Sequence, residues 1–372
     1  MFTQQNRFMK HDIIYHAEDA VVTASEIIVA KKDSKSTFVR PDDCMNNPAD
    51  KAQHELKVVS SIDKSKFGER FEGTAYYVRR WGHSNPYHIY IDTTYPVWLM
   101  LTAHRHHHAN GRGRCCIFMD DVQDGPANPQ FEQLDQAVIP CKRCRVNSNG
   151  AIYAKHVVTH FPLEARPMHV TEEKWPQSTG EYDLTPATEY ALRRFRRFVF
   201  GRLGIPFPET HARMKKELNV VYVKRASSRE MSNIDDVERA CAKRNCPINF
   251  ITAESIGSGI DQIKYFSEVD VMIGVEGAAF LHVLHLPLNS VVIQLHPPRD
   301  MLQDAILPNG SSINVAKPYR FYTALSLAMG HDQINLCLPG DRVNVEFFFD
   351  AVEPYLKNLA RPVAPVDIVV PL

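Results

Sequence analysis

The feature that most restricts this chain is an alternation in its second half. Short apolar runs rich in β-branched residues recur there, each followed by a segment with helical spacing. Asn219–Lys224 (NVVYVK), Ile248–Thr252 (INFIT), Val269–Val275 (VDVMIGV) and Val291–Leu295 (VVIQL) read as strands. Asp235–Arg244, Gly259–Ser267 and Ala278–Leu286 read as the helices between them. Strands this apolar need cover on both faces, which a parallel sheet crossed by helices provides. Such sheets take ligands at the carboxyl ends of their strands. The loops after Lys224, Thr252, Val275 and Leu295 are therefore the first places to look for a site.

Upstream the pattern is weaker. Thr185-Pro186 supplies an N-cap and a first-turn proline for a helix running to about Arg202, stopped by Gly204 and Pro206. Leu192, Phe195, Val199 and Leu203 form its apolar stripe; Arg193, Arg194, Arg196 and Arg197 read as a mostly solvated surface. Residues 161–183 are polar with prolines and read as a linker. Residues 1–70 read as irregular, apart from two short strands within Ile13–Val29. Thr74–Arg79 and Cys115–Met119 read as strands, and Ala137–Pro140 as another. The stretch from Tyr87 to His108 fits a helix interrupted near Pro96, or two short elements. At 372 residues the chain is long enough for two domains. The expected division is 1–180, 185–345 and a C-terminal helix and tail over 346–372.

Charge narrows the partners. Lys plus Arg is 43 and Asp plus Glu is 43, a net of zero. That argues against a nucleic-acid partner or membrane surface held by bulk charge. An anion site, if present, must be local. No apolar run of membrane-spanning length occurs, and the first residues lack the apolar core of a signal peptide. Eight Cys are too few for a disulfide scaffold. The expectation is a soluble, cytoplasmic chain with reduced thiols.

Three constellations carry chemistry. The first is Lys224-Arg225-Ala-Ser-Ser-Arg229, continuing to Asn233, at the carboxyl end of the first strand. Arg225 and Arg229 can converge on one anion, since guanidinium grips phosphate with two bonds. The same stretch also fits a solvated turn with Ser232 or Asn233 as a helix cap. The second is Gly274-Val-Glu276-Gly277-Ala278-Ala279, where bare backbone N–H groups at a helix start suit a diphosphate or sugar hydroxyls. It also fits tight strand–helix packing, and it is neither a Rossmann nor a Walker pattern. The third is Asn85-Pro-Tyr87-His88, ending at Asp92. His88 and Asp92 stand four apart, on one face of a helix, as a base and its orienting carboxylate or as a plain surface pair. His104, His106, His107 and His108 lack a carboxylate or Cys pattern at zincin spacing, and Cys141-Lys-Arg-Cys144 lacks a second pair, so neither reads as a metal site.

The order of these motifs resembles glycosyltransferase family 61. The matching stretches are KRASSREMSNIDDVERA, then SEVDVMIGVEGAAFLHVLHLPLNSVVIQLHP, with NPYHIYID and AVIPCKRCRV upstream. That family includes plant xylosyl- and arabinosyltransferases, animal transferases of O-linked N-acetylglucosamine, and viral and bacterial members. The resemblance implies a GT-B-like α/β architecture, with two Rossmann-like domains facing across a cleft. It implies inverting transfer from a UDP-sugar (xylose first, N-acetylglucosamine second) to a glycan or protein hydroxyl. His88 and Asp92 would be the base pair, with Asn85 and Tyr87 on the acceptor side. Arg225, Arg229, Asn233, Gly274, Glu276, Gly277, Ala278 and Ala279 would bind the donor, with no metal or other cofactor required. An anchor-free chain fits a viral member acting in a host cytoplasm. One position departs from the family: its usual His in the Gly-Ala turn is Glu276 here.

Two other readings compete. One is a non-catalytic nucleotide- or carbohydrate-binding module of the same fold. The other is a metal-dependent hydrolase built on the His cluster.

Overall fold

The computed structural model describes residues 13–23, 26–30, 55–67, 69–80, 85–103, 115–121, 128–139, 141–145, 151–161, 186–208, 217–225, 230–298, 302–306, 312–316, 320–356 and 366–369. The chain forms two compact units, Met1–Val170 and Thr171–Leu372.

The first unit contains, in chain order, β1 (Ile13–Thr23), β2 (Glu26–Ala30), β3 (Glu55–Val59), β4 (Glu69–Arg80), α1 (Pro86–Ile89), a π-helical turn (Tyr90–Thr94), α2 (Tyr95–Ala103), β5 (Cys115–Asp121), α3 (Pro129–Val138), β6 (Lys142–Arg145) and β7 (Ala151–Phe161). Its strands form one sheet in the order β3-β2-β1-β7-β4-β5-β6. From β7 to β6 the pairing is parallel, with α1 and α2 crossing from β4 to β5 and α3 from β5 to β6. The other half departs from a Rossmann-like pattern: β1 runs antiparallel to β7, from Ile13 opposite Phe161 to Thr23 opposite Ala151, and turns back into β2. The two strands expected within Ile13–Val29 are present as β1 and β2, whereas β3 and the start of β4 stand in the part of residues 1–70 that reads as irregular. Polar residues break the apolar pattern of β1, and a partner 140 residues away holds it. Ala137 and Val138 close a helix rather than a strand. Asn128 caps α3 with Pro129 in its first turn, and Phe131, Leu134 and Val138 line its buried face.

Asn85 starts α1 by accepting the Tyr87 N–H on its side-chain oxygen at 3.0 Å. The helix then widens by one residue, and Tyr95 N–H reaches back five residues to the Tyr90 carbonyl. Pro96 explains the widening. It has no N–H for the Asp92 carbonyl, and its ring would press on that carbonyl in an α-helical register. Thr94 secures the turn to α3 through its hydroxyl, which lies 2.8 Å from Asp135 Oδ1 and 3.0 Å from the Ile89 carbonyl. Cys141 is disulfide-bonded, against the expectation of reduced thiols, and a reducing cytosol does not sustain such bonds. Cys241, Cys246 and Cys337 are free.

The second unit contains α4 (Pro186–Leu203), β8 (Val220–Lys224), α5 (Ile234–Lys243), β9 (Ile248–Thr252), α6 (Ala253–Ile256), α7 (Gly259–Phe266), β10 (Val271–Val275), a 3₁₀ helix (Ala278–Leu284), β11 (Val291–His296), β12 (Leu302–Ile306), β13 (Ser312–Ala316), α8 (Arg320–Ala328), β14 (Asp332–Cys337), α9 (Val345–Leu356) and β15 (Val366–Val369). Six strands form a wholly parallel sheet in the order β15-β14-β11-β10-β8-β9, while β12 and β13 make a separate antiparallel pair. The alternation in the sequence is realised here. β10 and β11 are buried along their whole length, as their two-sided apolar content requires. One part of the core gathers Tyr222, Ile273, Ile293 and Leu336 from four strands with Val237 of α5 and Phe348 and Val352 of α9. The segment 346–372 supplies most of α9 and the edge strand β15.

Two local readings change. The expected helix after β10 is a seven-residue 3₁₀ helix. Arg196 is buried, not solvated: it donates to the Leu286 carbonyl and lies over the Phe207 ring, 4.8 Å from its centroid. Burial, then the neighbouring Arg193 and Arg197, pull its pKa down to about 10. Among the described residues no helix is long and apolar enough to cross a membrane.

Candidate functional site

In the parallel sheet β8 has β9 on one side and β10 on the other. The winding reverses between β8 and β10, and the crevice at that switch point is where doubly wound sheets take ligands. The two loops singled out in the sequence, after Lys224 and after Val275, flank it.

Arg225 follows β8. Its backbone N–H donates to Glu230 Oε2 at 2.6 Å, while Glu230 Oε1 accepts the Tyr222 hydroxyl at 3.0 Å and the Met231 N–H at 2.8 Å. Glu230 is thereby held against the end of β8. Burial, then the Glu230 charge, hold the Tyr222 hydroxyl well above its ordinary pKa, so it stays a donor. The Arg225 guanidinium crosses to the next strand and donates through Nη1 to the Glu276 carbonyl. Lys224 is spent elsewhere: it pairs with Glu238 of α5 and lies over Phe250. The structure therefore brings Arg225, not Lys224, to the glycine turn.

The glycines serve space rather than unusual dihedrals. Gly277 is extended (φ 164°), a conformation open to any residue. A side chain there would put its Cβ 2.0 Å from Arg225 Nη1, so Gly277 leaves the channel in which the guanidinium lies. At Gly274 a Cβ would stand 2.9 Å from the Val223 carbonyl on β8 and 3.4 Å from Phe280, so that glycine permits close packing of strand and helix. Ala278 and Ala279 open the 3₁₀ helix and are partly exposed.

Glu276 is mostly buried. Its Oε2 lies 3.5 Å from Nδ1 of His296, the last residue of β11. His296 Nε2 lies 3.2 Å from Asn335 Oδ1 on β14. His296 and Asn335 were not singled out from the sequence, yet a signal was there. Gln294 and His296 are polar residues two apart in an otherwise apolar run, so they share one sheet face, and His296 opens the loop after Leu295 already marked as interesting.

The other expected site residues fall as follows. Asn233 is buried, and both ends of its amide pair with the Val343 backbone, at 2.8 and 2.9 Å. It ties the β8–α5 connection to the start of α9 and makes no side-chain cap bond. Arg229 lies outside the described residues, as do the His104–His108 cluster and Cys144's side chain. In the first unit, Asn85 is occupied as a cap and Tyr87 is 2% exposed within the interior. His88 stands in α1 and Asp92 in the π-helical turn; their side chains lie outside the described residues. Single π turns inside helices recur at functional sites.

The second unit is thus an α/β unit built on a wholly parallel sheet, with Arg225 held across its switch point. The family model of glycosyltransferase 61 matches residues 87–293, more than half of the chain, from α1 to the middle of β11. The chain belongs to glycosyltransferase family 61. Membership carries a glycosyltransferase activity in general, with a sugar donor and a glycan acceptor. No curated protein matches the chain.

Proposed function

We propose that this protein is an inverting glycosyltransferase that uses a nucleoside-diphosphate sugar. The observation that carries the reading is the Arg225 guanidinium, anchored on the Glu276 carbonyl over Gly277 at the switch point. The acceptor hydroxyl loses its proton to a base as its oxygen bonds to the anomeric carbon. The bond from that carbon to the diphosphate breaks on the opposite side, and the diphosphate leaves with the electron pair. Developing charge on the departing diphosphate is stabilised by Arg225, joined by Arg229, in the place a metal ion holds in other glycosyltransferases. Glu276 accepts hydroxyls of the donor sugar. His88 and Asp92 form the base, one orienting the other. UDP-xylose is the first donor to test and UDP-N-acetylglucosamine the second, with a glycan or protein hydroxyl as acceptor. The two units are proposed to work as the halves of a GT-B enzyme.

A thermal-shift panel of nucleotide sugars, with and without EDTA, tests the donor side, because a ligand that binds only the native state raises its melting temperature. The expected result is a shift with one UDP-sugar, unaffected by the chelator. A panel with no shift for any nucleotide sugar refutes the reading. His88→Ala and Asp92→Asn are each expected to abolish transfer while leaving UDP affinity near that of the wild type. Full turnover in both would remove them from the mechanism.

A further inference from the structure

The charges of this chain sum to zero, but α4 does not share in the balance. It carries five arginines against one acid, Glu189. Arg196 is buried, whereas Arg193, Arg194, Arg197 and Arg202 are exposed. Among the described residues no carboxylate stands within ion-pair distance of these four. Arg193 and Arg197 are four apart and Arg194 and Arg197 three apart, spacings at which like charges cost a helix stability. Packing nevertheless fixes three of the side chains. Arg193 Nε donates to the Ala328 carbonyl at the end of α8, at 2.6 Å. Arg197 lies over Phe207, 5.3 Å from the ring centroid, and shares that ring with Arg196. Arg194 lies over Tyr190, 5.7 Å from its centroid. Tyr190 is 50% exposed, the one large apolar side chain so exposed among the described residues. Tyr190, Arg194 and Arg197 recur on one side of α4 and span about 10 Å of the helix.

An aromatic ring beside unpaired guanidiniums suits an acidic sugar chain. The ring offers a flat apolar face to the C–H face of a sugar, and each guanidinium can grip a carboxylate or sulfate with two bonds. A bound anion also relieves the repulsion among the arginines. A membrane surface fits less well, since a helix lying in the headgroup layer needs a row of apolar side chains, and this side of α4 has Tyr190 alone. We propose that the exposed side of α4 is an acceptor-binding surface for an acidic glycan, with Tyr190 as the platform for a sugar ring and Arg194 and Arg197 as the partners of its carboxylate or sulfate groups. The inference rests on the acceptor half of the function proposed above, and makes that acceptor negatively charged.

The test is calorimetry with three probes: a tetrasaccharide of uronic acids, sulfated maltotetraose, and plain maltotetraose as the uncharged control. At least one acidic probe is expected to bind the wild-type chain, and the uncharged one roughly tenfold or more weakly; which acid binds tells carboxylate from sulfate. Arg194→Ala combined with Arg197→Ala is expected to weaken the acidic probe on the order of a hundredfold. Tyr190→Ala is expected to weaken it on the order of tenfold, and Tyr190→Phe to leave it unchanged. These side chains are exposed and lie outside the proposed donor site, so each variant is expected to keep its fold, read by melting curves, and its UDP affinity. The inference falls if neither acidic probe binds better than maltotetraose, or if the arginine double variant or Tyr190→Ala keeps wild-type affinity. It also falls if phosphatidylserine vesicles bind the wild-type chain and neither acidic probe does, which makes this side of α4 a membrane contact. A wild-type chain that binds an acidic probe but no UDP overturns the donor reading and leaves this inference standing.

Discussion

Replacing Gly277 with Ala tests the core of the site with one methyl group. The added Cβ would stand 2.0 Å from Arg225 Nη1 and 2.6 Å from Cζ, distances no real pair of atoms tolerates. Something must move. The obstructing atoms are the far end of a flexible side chain, and the backbone at Gly277 is extended, so the guanidinium moves and the fold stays. The stability change is then the loss of one charge-assisted hydrogen bond to the Glu276 carbonyl, about 1.5–3 kcal/mol at most. On the proposed donor reading, displacing Arg225 from the crevice also forfeits its bond to the diphosphate. At about 1.5–3 kcal/mol that is a loss of roughly tenfold to 150-fold in UDP affinity. Calorimetry with UDP, beside a melting curve, measures both. Gly277→Ala should reproduce the affinity of Arg225→Ala while remaining folded. If Gly277→Ala binds UDP like the wild type and Arg225→Ala does not, the guanidinium does not act from the position described. If it unfolds, the assignment of the clash to a yielding side chain is wrong.

Other expectations follow from the interior of the same unit. His282, His285 and His331 are buried; burial, then Arg196 beside His331, holds His282 and His331 at about 3, and His285 falls well below its ordinary range through burial, the neighbouring His282 and Arg196. A basic group with a lowered folded-state pKa contributes fully above its unfolded value of about 6.5, and the contribution is lost as pH falls toward about 3. From pH 7 to 5 His282 and His331 each forfeit about 2 kcal/mol, which lowers the melting temperature of a unit this size by roughly 10 °C. Calorimetric melts at the two pH values measure it, and His331→Gln should shrink the difference; equal melting at both pH values would contradict the burial of these rings as neutral groups. Asn233→Ala should cost about 2–3 kcal/mol, because it removes two buried hydrogen bonds to Val343, and should leave UDP affinity unchanged. A loss of UDP affinity without a loss of stability would return Asn233 to the donor site.

The legible part of this protein is the part whose periodicity is local. The strands β8 to β11 and the helices between them follow from apolar runs, caps and glycines, because a strand buried on both faces must be apolar along its length. α4 was equally plain: Pro186 begins it, and Gly204 ends it at φ 65°. β3 was not, since it is held by parallel pairing with β2, from Glu26 opposite Glu55 to Ala30 opposite Val59, which local sequence does not show. Arg196 looked like its charged neighbours, and only the packing of Phe207 and the Leu286 carbonyl around it shows why it is buried.

The site divides the same way. Sequence alone determined that any anion site must be local in a chain with no net charge, and that the loops after β8, β9, β10 and β11 were the first places to look. It also determined the family, through motifs whose order survives in one dimension. Tertiary structure decided which cation reaches the glycine turn: Lys224 turns to Glu238, while Arg225 crosses to Glu276 over Gly277. It tied both ends of the Asn233 amide to the Val343 backbone. It also set His296 against Glu276, residues 20 positions apart that become neighbours only because β10 and β11 pair in parallel register. Chemistry at a sheet's edge depends on which strand ends are adjacent, and strand order is a property of long-range pairing that local sequence does not carry.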